Sequence, residues 1–166
     1  EVFCAFDTGP ANVLMDAYMQ TNNIGNYDKD GLLAASGSTI KEILDDIMHD
    51  PYFKAPYPKS TGREYFNQSI LGRFNSGYSN ADVMSTLLDV TVLSIAEAIK
   101  MLDQTIEHID KQTAEMDGKP VPNRKHDRNR NLNFAGRNDH HDRGDQVTTC
   151  NRLKRVVEGT DLKRIE

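Results

Sequence analysis

No stretch of this sequence approaches the ~18 consecutive apolar residues that span a bilayer. Its first residues, "EVFCAF", also lack the basic-then-apolar order of a secretory leader. A membrane partner is therefore not expected. Cysteine is nearly absent: Cys4 lies in an apolar run and Cys150 in a polar tract, which gives neither a disulfide framework nor paired metal-ligand spacing. A reducing, cytoplasmic setting is the simpler expectation. His126, His140, His141 and Cys150 fit no tetrahedral zinc pattern. Internal repeats are missing as well.

What is present divides in two. Residues 1–112 carry 8 Lys and Arg against 16 Asp and Glu, whereas residues 113–166 carry 12 against 9, so the halves have net charges of −8 and +3. The second half, with "TAEMDGKPVPNRKHDRNRNLNFAGRNDHHDRGDQ", has too few apolar residues to offset chain entropy. It is expected to be a disordered tail over 113–166 with a short helix near 151–158. Its basic residues read as solvated, so nucleic acid is an unexpected partner.

The first half shows alternating apolar runs and turn signals. "VFCAF" at 2–6 fits a buried strand, and a helix is expected over about 10–20 with Pro10 in its first turn. "NYDKDG" reads as a turn, since it lacks the later acids of a calcium loop, and "LLAASG" as a short strand or extended piece ending at Gly37. Thr39 to Asp50 reads as a helix, with capping-box spacing between Thr39 and Glu42 and with Ile40, Ile43, Leu44, Ile47 and Met48 on one face; Pro51 stops it. "PYFKAPYPKS" should be an extended connector, followed by a helix from about Thr61 to Phe74. The stripe Met84, Leu88, Val92, Ile95, Ile99, Leu102, Ile106, Ile109 predicts a helix roughly 40 Å long, packed along one side.

Two short stretches carry candidate chemistry. In "FDTGPAN" the predicted strand delivers Asp7 and Thr8 to a turn at Gly9, and the following helix points its free N–H groups at that turn, an anion site in outline. Gly9 would let the backbone approach a ligand, Thr8 can donate a hydrogen bond, and Asp7 can hold Mg²⁺ directly or through water. The plainer alternative is that Asp7 or Thr8 caps the helix. In "PKSTGREYF", Ser60, Thr61, Arg63 and Glu64 can converge on a polar ligand, or Thr61 and Glu64 can form a capping box.

Together, "FDTGPANVLMDAY", "YDKDGLLAASG", "DPYFKAPYPKSTGREYF" and "NADVMSTLLDVTVLSIAEAI" resemble the C-terminal domain of the anhydro-N-acetylmuramic acid kinase family, over residues 2 to about 100. The resemblance implies an α/β fold, here a partial ribonuclease-H-like domain of the actin and sugar-kinase superfamily over 1–112. It implies ATP-dependent phosphorylation of 1,6-anhydro-N-acetylmuramic acid, with water opening the anhydro ring, in cell-wall recycling. Asp7, Thr8, Gly9, Pro10 and Asn12 would face the ATP phosphates and Mg²⁺, with Asp7 as the metal ligand. Glu64 would reach the sugar, with Ser60, Thr61 and Arg63 as its setting. The resemblance places the water-activating aspartate in an N-terminal domain upstream, and residues 113–166 match none of the family's later motifs. The fragment alone is therefore expected to be inactive and prone to associate, with a homodimer as one outcome. A non-catalytic relative that binds a sugar, a nucleotide or a protein, and an interaction protein with a basic tail, are the competing readings.

Overall fold

The computed structural model describes residues 6–62, 64–74, 77–118 and 120. Its elements are helices: α1 (Val13–Thr21), a 3₁₀ turn (Lys29–Gly31), α2 (Leu32–Ser36), α3 (Lys41–Met48), α4 (Pro51–Lys54), α5 (Gln68–Leu71) and α6 (Asn80–Asp117). No strand occurs among the described residues. The described residues are rich in helix, as expected, and the predicted strand at 2–6 lies outside them apart from an irregular Phe6. The predicted helix near 151–158 and the four candidate zinc ligands of the tail also lie outside them. The described chain falls into two compact units that divide between Glu97 and Ala98.

In the first unit α1 and α3 lay Leu14, Met15, Met19, Ile43, Leu44 and Ile47 into one core with Phe53, Phe66 and the start of α6. α3 follows the predicted face, because Ile43, Leu44 and Ile47 are buried while Ile40 and Met48 pack at the edge of the core. α6 departs from the one-sided stripe. All residues from Val83 to Val92 are buried, including Val83, Leu87 and Val90, which lie off the stripe. A helix buried all round can hold polar side chains only if they are bonded. Accordingly Thr86 Oγ1 donates to the Asp82 carbonyl at 2.7 Å and accepts from Ile40 N–H at 2.9 Å, and Ser94 Oγ donates to the Thr91 carbonyl at 2.9 Å.

Several sequence expectations are corrected. "LLAAS" is helical, not extended: the buried Asp28 carboxylate accepts from the N–H groups of Leu33 and Ala34, each at 2.9 Å, and so caps α2. α1 begins at Val13, so Pro10 precedes its first turn. "PYFK" forms α4, because Asp50 caps Tyr52 N–H at 2.8 Å and Pro51 sits where its missing N–H is harmless; the residues after Lys54 are extended or irregular as expected. The helix expected from Thr61 to Phe74 shrinks to Gln68–Leu71, started by Asn67, whose side chain accepts from Ser69 N–H at 2.8 Å. Neither expected capping box opens a helix at its threonine. α3 starts at Lys41 with Ile40 at its cap, and the Thr39 hydroxyl donates to Asp89 instead. A start signal that does operate is "SNAD": Asp82 N–H donates to Ser79 Oγ at 3.1 Å while Ser79 Oγ donates to Asp82 Oδ2 at 2.7 Å. Gly37 is required just there, since a Cβ on it would meet the Ala81 carbonyl.

The second unit is described through the remainder of α6. Ala98 and Ala114 are buried, whereas Ile106, Ile109 and Met116 are exposed, so the predicted stripe is not covered along its full length among the described residues. The helix runs to Asp117, so residues 113–117, expected in the disordered tail, are helical instead.

Candidate functional site

The two stretches singled out in the sequence meet in the first unit. Asp7 Oδ2 accepts from the Thr61 N–H at 3.0 Å and from Ser60 Oγ at 2.9 Å. The main chain is joined as well, with Asp7 N–H donating to the Lys59 carbonyl at 2.9 Å. Thr61 thus bonds Asp7 and does not open a helix. These bonds favour the ionised carboxylate, so the Thr61 N–H, and then the Ser60 hydroxyl, hold the Asp7 carboxyl below its ordinary value of 3.8. Asp7 stays solvent-exposed.

A ring of aromatic residues backs this contact. The Tyr52 hydroxyl donates to the Asp7 carbonyl at 2.8 Å. Burial, and then the Asp7 carboxylate, push the Tyr52 phenol up, which keeps it a proton donor. Phe6 stacks on Tyr57 at 4.0 Å between ring centres, and Tyr52 meets Phe66 edge to face at 5.2 Å. Lys59 Nζ lies 4.6 Å from the Tyr52 ring centre and donates to the carbonyls of Tyr52 at 2.9 Å and Phe53 at 3.2 Å. Its charge therefore closes the C-terminal end of α4, and burial holds its pKa down.

Gly9 packs closely on α6. A Cβ at Gly9 would lie 2.5 Å from Ser94 Oγ and 2.8 Å from Ser94 Cβ, so the missing side chain lets the turn lie against α6. Pro10 is buried, and its carbonyl accepts from Val13 N–H at 3.1 Å. Ala11 has φ 48°, a left-handed conformation unusual for alanine, and its carbonyl accepts from Thr91 Oγ1 at 2.7 Å. Asn12 stands at the cap of α1 without using its side chain there, so its amide does not take up the first-turn N–H groups. Thr8 is half-buried between Asp7 and Gly9.

Glu64 is exposed on the turn before α5, with its carboxylate folded against Gly62, where a Cβ would collide with it. The structure therefore gathers Asp7, Ser60 and Thr61 into one cluster, with Glu64 on the turn that follows it in sequence. Arg63 lies outside the described residues. Tyr65 in turn donates to Asp50 Oδ1 at 2.6 Å, which holds its phenol pKa up. The sequence reading gave no role to Tyr52, Lys59, Thr91 or Ser94. The available signal was a tyrosine inside a proline-rich connector and hydroxyls within an apolar helix.

For Mg²⁺ the residues fit in a limited sense. Among the described residues no group of three or more His, Cys, Asp or Glu is arranged to hold a metal. Asp7 offers an exposed carboxylate whose bonds to Ser60 and Thr61 both fall on Oδ2. That suits an ion which keeps its waters and takes one or two carboxylates plus phosphate oxygens. No helix of the described residues is long and apolar enough to cross a membrane.

A family model described as anhydro-N-acetylmuramic acid kinase matches residues 1–110. Curated relatives carry the same name. One from Shewanella oneidensis is 47% identical over 107 residues, covering 63% of this chain and 29% of its own. One from Shewanella sediminis is 52% identical over 95 residues, covering 55% and 26%, and one from Shewanella amazonensis is 44% identical over 110 residues, covering 64% and 30%. The chain thus spans less than a third of the length of these relatives.

Proposed function

The chain belongs to the anhydro-N-acetylmuramic acid kinase family, and from that premise we propose that it is part of a carbohydrate kinase whose phosphate-binding turn is Asp7–Asn12. The longer protein carrying it transfers the γ-phosphoryl group of ATP to O6 of 1,6-anhydro-N-acetylmuramic acid. Water adds at C1, the C1–O6 bond breaks, and the products are ADP and N-acetylmuramic acid 6-phosphate. The observation that carries this reading is the pair of bonds from Ser60 and Thr61 to Asp7, because it unites two of the four stretches on which the resemblance rests.

Phosphoryl transfer depends chiefly on positioning and on screening of phosphate charge. Asp7 is held ionised and in place for a hydrated Mg²⁺, which screens the phosphate oxygens when bound. Thr8 supplies a hydroxyl donor, Gly9 and Pro10 set the path of the turn, and Asn12 stands at the start of α1 with its side chain unused by the helix cap. Glu64, three residues beyond Thr61, accepts from sugar hydroxyls, with Arg63 next to it in the sequence. The aspartate that activates water is supplied by residues outside this chain, so the 166-residue chain alone is not expected to turn over ATP. A cytoplasmic location accords with ATP as co-substrate.

The test is ATP consumption by the longer protein with Mg²⁺ and the anhydro sugar, against ATP and Mg²⁺ alone. Sugar-dependent ADP release is expected, and a folded protein with none contradicts the reading. Calorimetric binding of the sugar without turnover would identify a non-catalytic relative instead.

A further inference from the structure

The turn from Asp7 to Ala11 is pinned at both ends by hydroxyl groups that are remote in sequence. At one end the Tyr52 hydroxyl donates to the Asp7 carbonyl at 2.8 Å, and at the other Thr91 Oγ1 donates to the Ala11 carbonyl at 2.7 Å. Both donors are buried, at 8% and 3% exposure, whereas Asp7 and Ala11 are exposed. The turn is thus fastened from the core and open toward solvent. Ala11 needs such fastening, since an alanine at φ 48° persists only where its surroundings hold it. Tyr52 is itself fixed, by the Asp50 cap on its N–H and by Lys59 on its carbonyl.

Resting on the kinase reading above, we propose that Tyr52 and Thr91 are positioning residues that hold the Asp7–Ala11 turn in its phosphate-binding shape. They act through Asp7 and Ala11 and touch no substrate. Neither bond is a helix or sheet bond, and each spans a long stretch of chain, so each fixes the turn relative to a separate element. Removing either hydroxyl takes away one of the bonds that hold the turn while Asp7, Ser60 and Thr61 remain in the sequence.

In the longer protein that carries this segment, Tyr52→Phe and Thr91→Val each remove one donor with little change in volume, and Thr91→Ser keeps the donor. Hydrogen–deuterium exchange in peptides over residues 6–12 and 59–62 is expected to quicken about three- to tenfold in Tyr52→Phe and Thr91→Val. The peptide over 41–48 should be unchanged, and Thr91→Ser should stay close to the unaltered protein. With ATP, Mg²⁺ and the anhydro sugar, KM for ATP should rise by a similar factor and KM for the sugar should hold within about twofold. Unchanged exchange at both peptides, or faster exchange everywhere alike, overturns the positioning role. So does an equal rise in both KM values. Faster local exchange in the variants of a protein that phosphorylates no anhydro sugar supports the positioning role and overturns the proposed substrate.

Discussion

The Thr61 N–H donates to Asp7 Oδ2 at 3.0 Å, across 54 residues of sequence. This bond replaces the helix start that the Thr61–Glu64 spacing suggested, and with the Ser60 hydroxyl it sets the protonation behaviour of Asp7. The carboxyl is held below its ordinary value, so the stabilisation from these bonds is fully present above about pH 3.8 and is lost as pH falls through the lower folded value. Carboxyl-carbon NMR of Asp7 should show a midpoint below 3.8. Ser60→Ala should raise it part of the way back, because the Thr61 N–H remains. A midpoint at or above the ordinary value would remove this contact from the account.

The approach of the turn to α6 predicts a size effect. Gly9→Ala places a methyl group against Ser94, which packs too closely to admit it. A loss of about 1–3 kcal/mol is expected in chemical unfolding. Gly9→Ala with Ser94→Gly should recover most of it. Full stability of the single variant would show that the turn does not lie on Ser94.

Leu44 tests the core. It is 1% exposed on α3 and belongs to the cluster shared with α1 and α6. Leu44→Ala should cost about 2–5 kcal/mol, read from denaturant midpoints with the slope unchanged. A change below about 1 kcal/mol would place α3 outside the core.

Asp28 separates a cap from a ligand. Its two carboxylate oxygens each accept from a main-chain N–H of α2. Asp28→Ala should lower stability by about 0.5–2 kcal/mol, while calcium should leave the melting temperature of the unaltered protein in place. Stabilisation by calcium would reverse the assignment.

Much of this was legible in the residues. The apolar face of α3 could be read from its period, because Ile43, Leu44 and Ile47 recur at helical spacing and nothing else competes for them. "LLAAS" was misread because the residue that makes it a helix, Asp28, lies several positions earlier and acts through its side chain. The capping-box spacing at Thr61 misled for the opposite reason: its N–H is taken by Asp7, a tertiary partner that local spacing cannot reveal. Asp7, Ser60 and Thr61, which the structure brings together, could be singled out in "FDTGPAN" and "PKSTGREYF", whereas the residues that fasten the turn could not. Tyr52 and Thr91 act through carbonyl oxygens, and main-chain acceptors leave no mark on the sequence.

The central claim is that Asp7 serves phosphoryl transfer. Transfer of labelled γ-phosphate from ATP to 1,6-anhydro-N-acetylmuramic acid, with Mg²⁺, measures it directly in the longer protein, comparing the unaltered form with Asp7→Asn. The unaltered protein should label the sugar, and Asp7→Asn should lower kcat by about 100-fold while its helical circular dichroism is retained. Labelling at the same rate by a folded Asp7→Asn variant would contradict the account.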